Sequence, residues 1–81
     1  MRSTNERYKT VCRLGYYRDL FKMNQQQLAD AMELSKRTII RFESGETIPT
    51  VDVAMGFAMF FGVPVSELFE VTVKEEYKKV G

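Results

Sequence analysis

Apolar side chains recur at helical spacing in the first third of the chain. One set is separated by steps of three and four residues: Val11, Leu14, Tyr17 and Phe21. Side chains at this spacing lie on one face of an α-helix, where they can be buried together. We therefore predict a first helix over about residues 5–22, with Tyr16 and Leu20 beside the buried stripe.

Two short helices follow, each with its own start signal. Asn24 is a favourable N-cap for a helix over residues 25–32, and Ser35 caps one over residues 36–43. Gly45 suits the left-handed position that ends the second of them. The apolar residues expected on their inner faces are Leu28, Ala29, Met32, Ile39 and Phe42.

The most apolar stretch lies between Thr50 and Gly62, which can begin and end a fourth helix over residues 51–61. It is too short for the roughly 20 residues that cross a membrane as a helix. Pro64 then suits the first turn of a fifth helix over about residues 65–69.

The tail, residues 70–80, fits two patterns. Val71 and Val73 alternate as in a strand, whereas Val73, Tyr77 and Val80 have the spacing of a helix. We favour a short strand. The chain as a whole is then an all-α domain of five helices with a short C-terminal extension.

The composition excludes several kinds of site. With no His and one Cys among 81 residues, the chain cannot build a His- or Cys-rich zinc site, a disulfide framework or a Ser-His-Asp triad. So short a chain also leaves little room for a catalytic cleft, so we expect no enzyme, no metal and no cofactor. Cys12 is expected to be a small buried residue, and the lack of an apolar segment behind the basic N-terminus favours the cytoplasm.

Charge is divided unequally along the chain. Residues 1–41 hold nine Lys and Arg against four Asp and Glu, while residues 42–81 hold three against seven. A basic half favours contact with a polyanion, and an acidic half favours a different contact. Chance clustering is the alternative on charge alone.

Helices two and three, joined by a turn of three or four residues, have helix-turn-helix organisation, although any small helical bundle has short helices. The residue pattern adds more, since from about Leu14 to Phe69 the chain resembles the Xre/Cro phage-repressor type of helix-turn-helix regulator. The residues that carry the resemblance are Arg18, residues 24–29 (NQQQLA), residues 34–39 (LSKRTI), residues 42–45 (FESG), Pro49, Ala58, Phe61, Gly62, Val63, Glu67 and Leu68.

This resemblance implies a helix-turn-helix domain over residues 1–69. The remaining residues, 70–81, form a C-terminal extension that we expect to contribute to dimerisation. It implies that Arg18 pairs with Glu43, which joins the first helix to the end of the third and is structural. It also implies that the third helix, residues 36–43, enters the major groove of DNA.

Side chains at four places are then expected to contact DNA: the starts of helices two and three, one turn further along helix three, and the loop after it. They are Asn24, Gln25, Ser35, Lys36, Arg37, Thr38, Arg41 and Thr47. Lys and Arg can bind guanine O6 and N7, and a helix N-terminus attracts phosphate. The alternative is that Lys36, Arg37 and Arg41 are only a solvated helix face. Glu46 departs from the family, which often has Lys or Arg there, and is expected to weaken binding.

The fourth helix is apolar on every side, with Asp52 its only charge. Part of it suffices for the core: Val51, Ala54, Phe57, Ala58 and Phe61. The remaining apolar residues need another cover: Val53, Met55, Met59 and Phe60. Either the tail, with Val71, Val73 and Tyr77, folds back over them, or a second copy does. We favour the dimer, to which Val71 and Val73 of the tail also contribute.

The predicted function is sequence-specific binding of double-stranded DNA as a dimeric transcriptional regulator, more specifically a repressor. A two-fold dimer would place its recognition helices about 34 Å apart on a near-palindromic operator. The main alternative is a protein-interaction module, such as an antitoxin or another partner-binding subunit, that uses the apolar fourth helix. The low net charge of +1 and Glu46 favour this alternative, and the cations of the third helix favour DNA.

Overall fold

A computed structural model of the chain describes residues 8–74, which contain five helices and two strands. The elements in chain order are β1 (Tyr8–Cys12), α1 (Leu14–Leu20), α2 (Gln25–Met32), α3 (Lys36–Ser44), α4 (Val51–Phe61), α5 (Val65–Leu68) and β2 (Phe69–Val73). The predicted bounds of α2 and α4 are confirmed, and α3 is one residue longer than predicted. Residues 5–7 of the predicted first helix, and Tyr77 and Val80 of the tail, lie outside the described residues.

The starts of α2 and α3 are fixed by the side chains that the sequence marks as caps. Asn24 Oδ1 accepts from the Gln27 backbone N–H at 2.7 Å, and Gln27 Oε1 accepts from the Asn24 backbone N–H at 2.8 Å, which is a capping box. Ser35 Oγ accepts from the Thr38 backbone N–H at 3.1 Å. At each helix start, one backbone N–H that has no partner within the helix is thereby satisfied by a side chain three residues earlier.

Thr50 begins α4 in a different way. Its hydroxyl donates to Asp52 Oδ1 at 2.6 Å and makes no cap hydrogen bond to the helix. The Thr50 hydroxyl and the Val53 backbone N–H stabilise the carboxylate and hold the pKa of Asp52 below its usual value.

Three helices, α2, α3 and α4, end at a C-cap residue with left-handed backbone, and Lys22 adopts the same conformation in the turn after α1. Gly45 (φ 83°) and Gly62 (φ 72°) adopt this conformation without a steric penalty. Lys22 and Glu33, both at φ 58°, occupy it with a side chain. The Leu34 backbone N–H returns to the Ala29 carbonyl at 2.8 Å and holds the Glu33 turn between α2 and α3 closed.

The predicted helix over residues 8–12 is wrong, because this segment is strand β1. It pairs antiparallel with β2, in a register that sets Tyr8 opposite Val73 and Cys12 opposite Phe69. Aromatic and β-branched residues dominate β1 and suit a strand once a partner is available. The predicted strand in the tail is confirmed, and the sheet that it forms with β1 makes the fold mostly helical instead of all-α.

The core lies where α1, α2, α3, α4 and α5 meet. Its buried members are Leu14, Leu28, Ala29, Ile39, Phe42, Phe57, Ala58, Phe61 and Leu68. Val51, expected among them, is 76% exposed. It is the first residue of α4 and precedes Ala54, where the buried stripe of that helix begins.

The outward side of α4 remains open. Met59 is 82% exposed, and Met55 and Phe60 are also exposed, whereas Val53 is half-buried and packs against the core instead. Within residues 8–74 the tail pairs with β1, and Val71 and Val73 are themselves exposed. The described part of the tail therefore does not cover Met59.

Cys12, at the end of β1, is half-buried against the core. Burial raises the pKa of its thiol, an effect partly offset by the Leu14 backbone N–H. A thiol that stays protonated at neutral pH is a weak nucleophile, so the residue acts as a small apolar side chain.

Candidate nucleic-acid interface

The α2–turn–α3 unit is held against the core by one face of each helix. Leu28 and Ala29 of α2 and Ile39 of α3 are fully buried, and Phe42 is buried beside them. Ala29 is small enough to let the two helices approach closely. The opposite side of α3 is therefore presented outward on a rigid base.

An ion pair joins α1 to the end of α3. Arg18 Nε lies 2.7 Å from Glu43 Oε2, and Arg18 Nη2 lies 3.3 Å from Glu43 Oε1. Only 15% and 13% of the two side chains are exposed. Glu43 raises the pKa of Arg18 above its usual value, mainly through the hydrogen bond, so the guanidinium keeps its charge.

The same guanidinium fixes the entry to α2. Arg18 Nη1 donates to the Met23 carbonyl at 2.8 Å, which ties the α1–α2 turn to the pair. Gly15 makes room for this arrangement, because a Cβ there would lie 3.3 Å from Glu43 Oε1. This role of Gly15 was not predicted from the sequence, although a glycine inside a helical pattern can mark a position of close packing.

Gln25 takes part in this network instead of extending freely from α2. Its Nε2 donates to Glu43 Oε1 at 3.1 Å. Gln25 was predicted to contact a phosphate, and one of its amide hydrogens remains for that purpose. Asn24 is the N-cap of the same helix, so its Oδ1 serves the backbone of α2.

The start of α3 brings two hydroxyl groups together. Ser35 Oγ and Thr38 Oγ1 lie 2.9 Å apart, and Ser35 is exposed. Lys36 and Arg37 in the first turn are also exposed. The residues assigned to base contact at this helix start are thus brought together on one accessible surface.

Ile40 lies on this surface and was missed by the sequence analysis. It follows Lys36 by four residues and Arg37 by three, which places all three on one side of the helix. A β-branched apolar residue among the charged positions of α3 was the available signal. We call Lys36, Arg37, Ile40 and Arg41 the outer side of α3.

Arg41 has an acidic partner in the loop that follows. Glu46 Oε2 lies 3.4 Å from Arg41 Nε, with 42% of the Arg41 and 61% of the Glu46 side chain exposed. Gly45 sets this geometry, because its left-handed turn returns the Glu46 backbone N–H to the Arg41 carbonyl at 3.0 Å. Thr47 is half-buried, and its backbone N–H reaches the same carbonyl at 3.3 Å.

A small cavity of about 260 Å³ lies beside the outer side of α3, between α3 and α4. Its lining is mainly apolar, with Leu34, Phe42, Pro49 and Val53 among the side chains. A second one, of about 400 Å³, lies on the exposed side of α4 and is lined by Met55 and Met59.

Residues 8–74 contain neither a membrane-spanning helix nor a cluster of metal ligands. None of the helices there is both long and apolar enough to cross a membrane. In the same residues, no three His, Cys, Asp or Glu side chains cluster as metal ligands would.

Comparisons with known proteins agree with this geometry. Residues 14–68 match the model of the helix-turn-helix family. Over 57 residues the chain is 39% identical to an uncharacterised HTH-type transcriptional regulator of Methanocaldococcus jannaschii, a match that covers 70% of this chain and 86% of that protein.

A second relative is the cryptic phage CTXphi transcriptional repressor RstR of Vibrio cholerae, 30% identical over 59 residues. That match covers 69% of this chain and 53% of the repressor, so the chain matches about half the length of this relative. The family match spans both helices of the α2–α3 unit and the core that supports them. The chain therefore belongs to the Xre/Cro-type helix-turn-helix family of DNA-binding transcription regulators.

Proposed function

We propose that the protein is a sequence-specific regulator that binds double-stranded DNA as a homodimer and represses transcription. The observation that carries the proposal is the outer side of α3, where three cations lie opposite a face that the core holds in place. Repression is supported by the name of the relative from Vibrio cholerae, a transcriptional repressor.

In this proposal α3 lies in the major groove, with its first turn against the base edges. Arg37 and Lys36 have the donors that guanine O6 and N7 accept, and Arg41 extends the contact by one turn. Ser35 and Thr38 lie at the helix start, where their hydroxyls can donate to phosphate oxygens.

Phosphate contacts come from α2 and from the loop after α3. The first N–H groups of α2 have no partner within the helix, and the positive end of its dipole attracts an anion. Asn24 and Gln25 lie at this end, and Thr47 lies in the loop. Glu46 opposes binding at the loop, because its carboxylate repels phosphate and holds Arg41.

The dimer is proposed to form through the exposed side of α4. Met55, Met59 and Phe60 are exposed next to one another along this helix, and Val65 of α5 is exposed as well. Contiguous apolar surface of this kind is uncommon on a monomer. A second copy is the occupant that a two-fold operator requires, with Val71 and Val73 as further contacts from residues 70–81.

Selection of duplexes from a random DNA pool tests the regulator, with Arg37→Ala and Lys9→Ala in parallel. We expect a motif with two-fold symmetry for the wild type. Arg37→Ala should lose about 1–3 kcal/mol of discrimination at one base pair of each half-site. Lys9 is exposed on β1, so Lys9→Ala removes the same charge and should keep the motif. No enrichment at low salt would contradict DNA recognition.

The dimer is tested by sedimentation of Met59→Glu over a range of concentrations. Burying a carboxylate in an apolar contact is costly, so this variant should sediment as a monomer. Leu20→Glu, at an exposed residue of α1, is the matched control and should remain dimeric. A Met59→Glu protein that still dimerises would place the interface elsewhere.

A protein-interaction module is the second candidate, and the exposed methionines of α4 favour it. Methionine is flexible and polarisable, so a surface rich in it adapts to other chains. If this candidate is correct, the wild-type protein should be monomeric when alone and should enrich no DNA sequence.

A further inference from the structure

Ile40 is 41% exposed at the middle of the outer side of α3. Lys36 and Arg37 precede it by four and three residues, which places their Cβ atoms about 5–6 Å away. Across the described length of α3, it is the one large apolar side chain that is exposed. An aliphatic group therefore lies between the side chains proposed to read bases.

The fold does not require an aliphatic residue at this position. Ile39 and Phe42 already fill the core from α3. Isoleucine is also a poorer helix former than alanine or lysine, because its branched side chain loses rotamer freedom in a helix. Single exposed apolar residues are common on proteins, so it is the location of Ile40 that carries the argument.

We propose that Ile40 determines operator specificity by contacting the 5-methyl group of a thymine in the major groove. The inference rests on the proposed function, because it requires α3 to lie in that groove. The thymine methyl is the apolar group that base pairs present there. Successive bases are about 3.4 Å apart along a strand, so the thymine lies within one or two steps of the base that Arg37 contacts.

Replacing thymine by uracil tests the contact, because the two bases differ by this methyl group alone. In the duplex selected by the wild type, each thymine is replaced by deoxyuridine in turn and affinity is measured at fixed salt. At one position per half-site we expect about a fourfold loss for the wild type, the value for burying one methyl-sized group. The other thymines serve as internal controls.

Ile40→Ala is then measured on the same duplexes. Alanine favours the helix, so this variant should fold and retain cation-dependent binding. It should bind the thymine duplex less tightly than the wild type does and show no further loss with uracil at the critical position. Ile40→Val, which keeps a branched side chain, should retain part of the discrimination.

Two results would overturn the inference while leaving the proposed function intact. One is a wild type that binds a selected duplex and tolerates uracil at every position. The other is an equal uracil effect in the wild type and Ile40→Ala, which would assign methyl recognition to another group. A wild type that selects no duplex would overturn the proposed function and this inference together.

Discussion

Both sides of α3 combine apolar and charged residues, but the two sides differ in burial. The inner side, Ile39, Phe42 and Glu43, faces the core, and its one charge is paired with Arg18 at 2.7 Å. The outer side has cations and an exposed isoleucine, and Arg41 is paired with Glu46 at 3.4 Å. Burial separates the two pairs, since the inner one is about 15% exposed and the outer one about half exposed.

The difference separates charges that support the fold from charges that are accessible to solvent. A buried charge that loses its partner is left without water or a counter-charge, so breaking a buried pair is costly. The charges of an exposed pair are solvated by water when the pair breaks, so such a pair contributes only about 0–1 kcal/mol to the free energy of unfolding. Changes on the inner side should therefore alter stability, and changes on the outer side should alter DNA binding.

The largest effect is expected from Arg18→Met. This change leaves the Glu43 carboxylate partly buried without its counter-charge, and it frees the Met23 carbonyl. We expect the free energy of unfolding to fall by about 3 kcal/mol, the lower end of the range for a broken buried pair. Urea denaturation measures it.

Arg13→Met is the matched control for that experiment. Arg13 pairs with Glu70 at 2.6 Å, but 40% and 46% of these side chains are exposed. Its loss should cost less than about 1 kcal/mol. Equal losses in the two variants would contradict the distinction between buried and exposed pairs.

A smaller effect, of opposite sign, is expected from Glu33→Gly. Glu33 has φ 58° at the turn between α2 and α3, a conformation that costs a side-chain-bearing residue about 1–2 kcal/mol. Glycine relieves this cost but loses roughly 0.5–1 kcal/mol of backbone entropy, so a net gain of about 0.5–1 kcal/mol is expected. Thermal unfolding measures it.

The glycine that ends α3 offers the reverse experiment. Gly45→Ala places a Cβ at φ 83° and should lower stability, although no atom beyond the adjacent residues lies within 4 Å of that Cβ. A stable Gly45→Ala protein would show that backbone conformation does not limit these turns.

Glu46→Lys should have the smallest effect on stability and a clear one on DNA binding. Because the Arg41–Glu46 pair is exposed, the free energy of unfolding should change by less than about 1 kcal/mol. Affinity should rise, and the dependence of log K on log salt should steepen by about 0.9 for one added phosphate contact. Unchanged affinity would show that this loop does not approach the DNA backbone.

Elements that depend on neighbouring residues were predictable from the sequence. Asn24, Ser35, Gly45 and Gly62 mark the ends of helices because each acts within about one turn of the chain. The wrong prediction concerned Tyr8–Cys12, where the spacing of Val11 and Leu14 continues a helical stripe by coincidence. A strand formed there because β2, about 60 residues later, offers backbone partners.

The candidate site was predictable to a similar degree. Residues 24–29 and 34–39 identify the α2–α3 unit and the first two cations of α3 by residue type and spacing. The hydrogen bond from Gln25 to Glu43 was not predictable, nor was the space that Gly15 leaves for that carboxylate. Both depend on how closely α1, α2 and α3 approach one another, which helical spacing does not describe.

The sequence by itself determined the helix-turn-helix unit, its caps and the identity of the cations on α3, because these follow from local hydrogen bonding and from residue type. The tertiary structure alone decided that residues 8–12 form a strand and that Val51 and Ile40 remain exposed. It also decided how far the Arg18–Glu43 pair is buried. These outcomes depend on packing between elements far apart in the chain, where geometry and burial set the energy of a contact.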